Sequence, residues 1–317
     1  MIYSAILVDV FNLIHKKKGQ GPDAKSVANA VIDYVETTLK AKLDSDAAKM
    51  YLLFDPMPVR DLGVSSQFRT FTTTRKALKS SYKGSREKEP LVLETADYLR
   101  KYFSYRDPAY VVVISKKHEA DDFVESLVTT SGKTLLVSTD YDWARYLSKD
   151  VEMSLGNVNE PFTVTDFQAK FGYLPSIKNV TVSKALFGDP SDEIDGIFEK
   201  KFPYKDLGVQ ALQFISNVDE SLDEFIHRTR SYTFKVLFET KERNPEQDLF
   251  YQMHCFEKKN LVSQFFLNVS LVRSQCADAK KFMHSFPKKD AGFCTTVDKA
   301  LERGQYKSAF RFGTIRL

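Results

Sequence analysis

Cysteine is scarce in this chain, and its few thiols lie far apart. Cys255, Cys276 and Cys294 fit no C-x-x-C pattern, so neither a disulfide framework nor a cysteine-ligated metal site is predicted. We expect buried or inert thiols in a reducing compartment.

Long apolar runs and targeting signals are missing as well. No stretch approaches the roughly 20 apolar residues that a membrane helix needs. The start, MIYSAILVDVF, has no basic leader and no small-residue cleavage site, which predicts a cytosolic protein. A glycine-rich phosphate loop is also lacking, which argues against an ATPase.

Positive charge is concentrated in one segment. Over the whole chain of 317 residues the net charge is only +4, but the stretch from Arg60 to Lys88 carries eight basic residues: Arg60, Arg69, Arg75, Lys76, Lys79, Lys83, Arg86 and Lys88. The hydrophobic fraction of 43% supports a packed core. A basic segment beside acidic motifs suits a polyanionic substrate that meets metal ions at the point of reaction.

Buried strands alternate with helices in the first half of the chain. YSAILVDVF, KMYLLFDP, AYVVVISK and KTLLVSTD read as strands, and amphipathic helical patterns separate them. This order predicts a mainly parallel sheet flanked by helices. After about residue 180 the pattern becomes mainly helical, including KKFMHSFPKKD, although SYTFKVLFET also fits a strand.

Acidic residues follow the predicted strands. Asp9, Asp55 and Asp140 each end a strand, and Glu119 comes shortly after another. Functional residues of open parallel sheets gather beyond the carboxyl ends of the strands. We therefore expect these carboxylates to converge along one edge of the sheet.

The acidic motifs as a group predict divalent cations. EADD, TDYD and GDPSD crowd together carboxylates that would repel one another without a cation. Any one of these residues alone would read as a helix cap. Oxygen ligands favour Mg²⁺, and two such ions can activate water and stabilise a leaving oxygen. Only His118 borders the motifs, which argues against zinc.

The order of the motifs resembles the 5′-nuclease family, which includes phage 5′-exonucleases, flap endonucleases and the 5′-nuclease domain of bacterial DNA polymerase I. The matching pieces are ILVDVFNLIH, LLFD, YKGSR, EADD, VSTDYD and ALFGDPSDEIDG, which together span residues 2–196. The resemblance implies a PIN-like α/β fold with a twisted, mainly parallel sheet, a helical arch at 58–90, a catalytic domain at 1–182 and a mostly helical C-terminal domain at 183–317.

The resemblance also assigns the metal ligands. One ion would be held mainly by Asp9, Asp55, Glu119, Asp121 and Asp140. The second would be held, directly or through water, by Asp122, Asp142, Asp189 and Asp192. The implied cofactor is Mg²⁺, two ions or more, with Mn²⁺ able to substitute.

The arch would act on the substrate. Lys83 and Arg86 in YKGSR would contact the scissile phosphate and neutralise its developing charge. Tyr82 would stack on a base, and Arg75 and Lys79 would attract phosphates in general.

The resemblance weakens after GDPSDEIDG. Glu193 stands where the family has Asn, Asp195 stands where it has Pro, and no glycine-bearing hairpin follows. A degenerate helix–hairpin–helix region is therefore expected, with Lys200 and Lys201 as duplex-binding residues.

The implied function is a metal-dependent structure-specific 5′-nuclease, both exonuclease and flap endonuclease, acting near single-strand/duplex junctions. Its substrates would be DNA with 5′ flaps, nicks or ends and RNA–DNA hybrids, as in removal of RNA primers during DNA replication. A phage-type monomer is expected, in the host cytoplasm if phage-encoded, with a single-strand-binding protein or clamp as partner.

Two alternatives remain open. A PIN-type ribonuclease would share the strand-end acids but needs neither the basic insertion nor GDPSD. A non-catalytic nucleic-acid-binding descendant would lack a ligand carboxylate, and none is missing here. A haloacid-dehalogenase-type phosphatase is rejected, because Phe11 occupies the place of its second aspartate.

The arch assignment predicts an unequal effect of two lysine substitutions. Lys83→Ala should slow turnover by roughly a hundredfold, because it removes charge at the scissile phosphate. Lys79→Ala should mainly weaken substrate binding. Single-turnover rates on a labelled 5′ flap measure both effects, and a normal rate for Lys83→Ala would remove the arch assignment.

Overall fold

The computed structural model describes residues 2–57, 89–115, 118–128, 131–198, 204–232, 234–256, 260–273 and 276–284. Its contacts divide the chain into two compact units. With those gaps, the first unit comprises 2–57, 89–127 and 277–284, and the second comprises 128–276. The domain boundary expected at residue 182 does not coincide with the boundaries of these two units, and it remains a prediction.

The strands among the described residues are β1 Ala5–Asp9, β2 Lys49–Phe54, β3 Tyr110–Ile114, β4 Thr134–Val137, β5 Val151–Ser154 and β6 Met283–His284. The α-helices among them are α1 Val10–Lys17, α2 Ala24–Asp33, α3 Pro90–Arg106, α4 Val124–Val128, α5 Val164–Phe171, α6 Ile177–Phe187, α7 Lys205–Ser216, α8 Leu222–Arg230, α9 Phe234–Glu239, α10 Pro245–Cys255 and α11 Leu261–Val272. Tighter 3₁₀ turns include Ala120–Phe123, Tyr141–Tyr146 and Pro190–Asp192.

The first unit contains a parallel sheet in which β2 lies between β1 and β3. In the ladders, Leu53 pairs with Asp9 on one side and with Val113 on the other. The strands are short, apolar and almost fully buried, as expected for a sheet covered on both faces. Their carboxyl ends therefore lie at the same edge.

The end of the chain's described part differs from its predicted helix. Within KKFMHSF, the residues of β6 pair antiparallel with β3, through Met283 opposite Val113 and His284 opposite Val112. The helical prediction for this segment was wrong beyond the 3₁₀ turn Ala279–Phe282. The backbone N–H and C=O groups of this segment pair with β3, a distant partner that the local sequence pattern does not reveal.

The second unit combines a parallel β4–β5 pair with the helices from α5 to α11. Phe250 packs edge-on against Phe265 at a ring distance of 5.5 Å, and Phe225 lies 6.4 Å from Phe265. The mainly helical C-terminal part is thus confirmed. SYTFKVLFET contributes α9 rather than a strand, with Val236 and Phe238 49% and 65% exposed.

Two further expectations were compared with the structure. Cys255 and Cys276 are exposed, so of the expected buried or inert thiols only the inert state remains a prediction for these two, and Cys294 lies outside the described residues. Within the described part of the chain, every helix is too short or too polar to cross a membrane.

Gly196 marks a close backbone approach that a larger residue would disturb. A Cβ at this position would lie 2.4 Å from the carbonyl carbon of Phe187 and 2.6 Å from the nitrogen of Gly188. The next residue, Ile197, donates its backbone N–H to the Leu186 carbonyl at 2.8 Å. The loop after GDPSD therefore lies directly against the end of α6.

We expect Gly196→Ala to lower the free energy of unfolding by about 2 kcal/mol or more, because the backbone must shift to admit the methyl group. Gly19→Ala is the matched control, since a Cβ there meets nothing within 4 Å. Urea denaturation measures both variants. Equal stability of the two would contradict the close approach.

Candidate metal centre

Three buried carboxylates lie together in the second unit. Asp142, Asp189 and Asp192 each offer an oxygen, and these oxygens lie within 4.8 Å of one another. Asp142 belongs to the 3₁₀ turn after β4, and the other two residues bracket the turn after α6. Asp142 thus joins two residues that lie 47 and 50 positions further along the chain in one group of oxygen ligands.

The turn that carries Asp189 and Asp192 is closed by its own backbone. The N–H groups of Asp189 and Ile194 each donate to the carbonyl of the other, at 2.8 and 3.0 Å. Asp189 Oδ1 accepts from the Ser191 N–H at 3.1 Å and from its hydroxyl at 2.6 Å. Glu193 takes φ +57°, a left-handed conformation that Asn adopts more easily than Glu. The turn fixes both carboxylates relative to α6.

The turn that carries Asp142 is fixed in a similar way. Asp140 caps it, because Asp140 Oδ1 accepts from the Asp142 N–H at 2.9 Å. Tyr141 packs edge-on against Phe171 at 5.4 Å and accepts a hydrogen bond from Lys170 at 2.6 Å. The sequence predicts a strand that runs into Asp140 and Asp142 and then a helix, whereas the structure has a 3₁₀ turn over Tyr141–Tyr146 that is capped by Asp140.

Asp140 shares the electrostatic environment of the triad. Desolvation of its carboxyl raises its pKa to about 6, and the charges of Asp142 and Asp192 act in the same direction. Lys184 opposes the rise. Asp140 therefore belongs to the same acidic group as Asp142, Asp189 and Asp192.

Lys184 on α6 contacts two of the triad carboxylates, a role that the sequence analysis missed. Its ammonium group is in contact with Asp142 Oδ1 and lies 2.5 Å from Asp189 Oδ2. Burial by itself would lower the pKa of Lys184, but the charges of Asp142, Asp189 and Asp140 outweigh it, so the pKa is raised. Lys184 is thus held in its charged form by the acidic group.

Arg145 is a second cation at the centre, and only 3% of it is exposed. Its Nε donates to the Asp142 backbone carbonyl at 2.7 Å, and one guanidinium nitrogen lies 3.4 Å from Asp142 Oδ1. Another donates to the Val272 carbonyl at the end of α11, at 3.0 Å. Arg145 therefore ties the Asp142 turn to α11.

Asn268 connects α11 to the other half of the centre. Its amide nitrogen donates to the Ala185 carbonyl at 3.0 Å and to the Asp195 carbonyl at 2.8 Å. Gln264 in turn donates to Asn268 Oδ1 at 2.8 Å. Because this amide is 1% exposed, its hydrogen bonds fix the position of α6 and of the loop that follows the turn.

Two of the predicted ligands stand at the carboxyl ends of β1 and β2 in the first unit. Asp55 follows β2 and accepts from the Ala120 N–H at 3.0 Å, which attaches the EADD segment to the strand end. Asp9 ends β1 and caps α1 by accepting from the Asn12 N–H at 3.0 Å. These contacts fix Asp9 at the end of β1 and join the EADD segment to the end of β2, and the convergence of their carboxylates remains a prediction.

EADD begins with reciprocal hydrogen bonds between two of its acids. The Glu119 side chain accepts from the Asp122 N–H, and Asp122 Oδ2 accepts from the Glu119 N–H at 3.0 Å. Both residues are buried, whereas Asp121 is half-buried. The pattern EADDFVESLVTTS predicts a helix over 119–131, and within the described residues the structure has a 3₁₀ turn at 120–123 followed by α4. Capping of the 3₁₀ turn by Glu119 and Asp122 therefore explains part of the EADD motif without a metal ion.

The predicted ligands therefore form two groups, one in each unit. The first group, Asp9, Asp55, Glu119, Asp121 and Asp122, shares only the first unit, and the second, Asp140, Asp142, Asp189 and Asp192, shares the second unit. Among the described residues, a group of three acids with ligand oxygens within 4.8 Å of one another occurs only at Asp142, Asp189 and Asp192. The meeting of the two groups in one pocket, and their division between two ions, remain predictions. The other site residues lie outside the described residues: Arg75, Lys79, Tyr82, Lys83, Arg86, Lys200 and Lys201.

The second group fits a hard divalent cation. All its donors are carboxylate oxygens, the ligand type that Mg²⁺, Mn²⁺ and Ca²⁺ prefer. When the four carboxylates are ionised, the positive charges of Lys184 and Arg145 compensate only half of their charge. A divalent cation would balance the remainder.

Burial in the structure, rather than a sequence motif, singles out the two cations. Lys184 stands between Ser183 and Ala185, inside a helix that is otherwise buried on most sides. Arg145 stands within a fully buried run from Asp142 to Tyr146. A charged residue in such a setting needs partners of opposite charge.

Known structures share this fold. The bacteriophage T5 flap endonuclease, in a pseudo-enzyme–product complex with DNA and metal ions, matches with a TM-score of 0.53 at 15% identity, over 94% of this chain and 99% of its own. The T5 5′-exonuclease with bound zinc ions matches with a TM-score of 0.52 at 16% identity, over 94% and 98%. The sequence matches no protein-family model and no curated protein. The chain therefore has the PIN-like α/β fold of these phage 5′-nucleases, and the predicted fold class is confirmed.

The raised pKa of Asp140 predicts a pH-dependent stability when metal is removed. A carboxyl with a folded pKa of about 6 and an unfolded pKa of about 3.9 lowers stability as the pH rises between those values, and the loss is complete above pH 6. In EDTA, Asp140→Asn should therefore be more stable than the wild type at pH 8, by about 1 kcal/mol, because the residue as a whole is exposed and solvent screens part of the unfavourable charge on its desolvated carboxyl. Below pH 4 the two should unfold alike. Urea titrations across the pH range measure the difference, and a constant difference would contradict the assignment.

Proposed function

We propose that this protein is a divalent-metal-dependent, structure-specific 5′-nuclease that hydrolyses phosphodiesters near single-strand/duplex junctions. The observation that carries the proposal is the buried triad Asp142, Asp189 and Asp192, whose carboxylate oxygens lie within 4.8 Å of one another. Such a group of anions is suited to a cation that also binds a phosphate.

The fold supports the same activity. The T5 flap endonuclease, which has this fold, is known in complex with DNA and metal ions. The substrate that we propose for this chain is a nucleic acid with a free 5′ end. The proposed natural cofactor is Mg²⁺, and Mn²⁺ can substitute for it. The motif order EADD, TDYD and GDPSD supports this choice independently of the fold.

When bound, the metal ions supply charge neutralisation at the scissile phosphate and lower the pKa of a water molecule that attacks it. The chain's residues hold and orient these components. Asp142, Asp189 and Asp192 provide oxygens from two fixed turns, and Asp140 keeps the first turn in place through the Asp142 N–H. Asp9, Asp55, Glu119, Asp121 and Asp122 are further proposed ligands, as the resemblance implies.

The basic segment completes the proposal. Lys83 and Arg86 neutralise charge on the phosphate, while Arg75, Lys79 and Tyr82 hold the single-stranded 5′ end. Lys200 and Lys201 bind the duplex backbone. The products carry a 5′-phosphate and a 3′-hydroxyl.

The proposed setting is removal of RNA primers or 5′ flaps during replication, by a phage-type monomer acting in the host cytoplasm. A single-strand-binding protein or a clamp is the proposed partner class.

The test is cleavage of a labelled 5′ flap, a nicked duplex and an RNA–DNA hybrid, with Mg²⁺ or with EDTA. We expect cleavage of at least one substrate with Mg²⁺ and none with EDTA. Asp192→Asn should reduce cleavage at least about a hundredfold and leave substrate binding in place, because it removes a ligand charge but not the basic segment.

Asp150→Asn is the matched control, the same change at an exposed carboxylate that pairs with Lys149 at 3.8 Å. Its rate should equal that of the wild type. A pure protein that cuts none of these substrates with Mg²⁺ or Mn²⁺ would refute the proposal.

A further inference from the structure

Lys184 uses the same carboxylate oxygens that a divalent cation needs. Its ammonium group contacts Asp142 Oδ1 and lies 2.5 Å from Asp189 Oδ2. The other oxygen of Asp189 already accepts two hydrogen bonds from Ser191. An ion that binds Asp189 without breaking its turn must therefore use Oδ2, where Lys184 lies.

Two cations cannot share this position closely. A divalent ion and an ammonium group a few ångströms apart repel strongly in a partly buried site. Lys184 has 20% of its side chain exposed, and Asp142 and Asp189 have 11% and 8%. The repulsion is therefore only weakly screened by solvent.

The backbone around Lys184 is fixed, so the side chain is the part that can move. Asn268 holds the Ala185 carbonyl, and Ile197 holds that of Leu186. The lysine stem has four rotatable bonds, and its tip reaches solvent in part. A change in its rotamers can release the carboxylates without moving α6.

We propose that Lys184 is a tethered counter-ion of the metal centre, which holds Asp142 and Asp189 together in the metal-free protein and leaves Asp189 Oδ2 when a divalent ion binds. Lys184 thereby lowers the affinity of the second unit for metal and stabilises the unit without it. This inference rests on the proposed function, because it needs the triad to bind a divalent cation.

The test uses Lys184→Met, which keeps most of the apolar stem and removes the charge, in the full-length chain. The probe is Mn²⁺ alone, followed by calorimetry and by the emission of Trp143, the single tryptophan, which is buried next to Asp142. Lys149→Met is the matched control, since this lysine pairs with Asp150 and has 90% of its side chain exposed.

We expect Lys184→Met to bind Mn²⁺ roughly tenfold more tightly than the wild type, because the competing charge is gone. Its melting temperature should be lower than that of the wild type in EDTA, and the deficit should disappear in saturating Mn²⁺. Lys149→Met should match the wild type in both measurements.

A second measurement needs no variant. Reductive methylation of the wild-type protein, read by mass spectrometry, should modify Lys184 faster in saturating Mn²⁺ than in EDTA, because the ion pairs are then broken. Unchanged methylation of Lys184 would overturn the inference even if Lys184→Met failed to fold.

The outcomes separate the two proposals. If the wild type binds Mn²⁺ and Lys184→Met binds it equally or more weakly, the counter-ion role is overturned and the proposed nuclease function is unaffected. If neither protein binds Mn²⁺, the metal centre itself is refuted and the counter-ion role with it.

Discussion

Repulsion among buried carboxylates is the constraint on which the second unit depends. Asp142, Asp189 and Asp192 lie within ion-binding distance of one another and are almost hidden from water. Such a group is unstable unless positive charge compensates it. Lys184 and Arg145 provide part of this charge from within the chain, and the deficit that they leave is the physical basis for proposing a divalent cation.

The C-terminal helices stabilise this arrangement from behind. Arg145 bonds to the end of α11 through Val272, and Asn268 of the same helix bonds to the chain on either side of the Asp189 turn. These buried polar contacts give α11 a structural reason for its position, since each would be costly to leave unpaired. The helical region is therefore part of the geometry of the centre, whatever it contributes to nucleic-acid binding.

Much of the fold could be predicted because its signals are local. The strands that end at Asp9 and Asp55 are short apolar runs, and their parallel pairing follows from the helices between them. An error arose where a distant partner decides the structure: the segment around Met283 becomes a strand because β3 pairs with it. For SYTFKVLFET, whose spacing suits a helix or a strand, the structure selects the helix α9.

The sequence by itself determined the residue types and the order of the motifs. It also indicated candidate ligands, because carboxylates that follow buried strands are expected at the edge of a parallel sheet. The tertiary structure decided which of them stand together and what neutralises them. Lys184 and Arg145 carry no motif of their own, and their importance arises only when folding buries them against Asp142 and Asp189. Electrostatic compensation depends on distances in space, and spacing along the chain does not encode those distances.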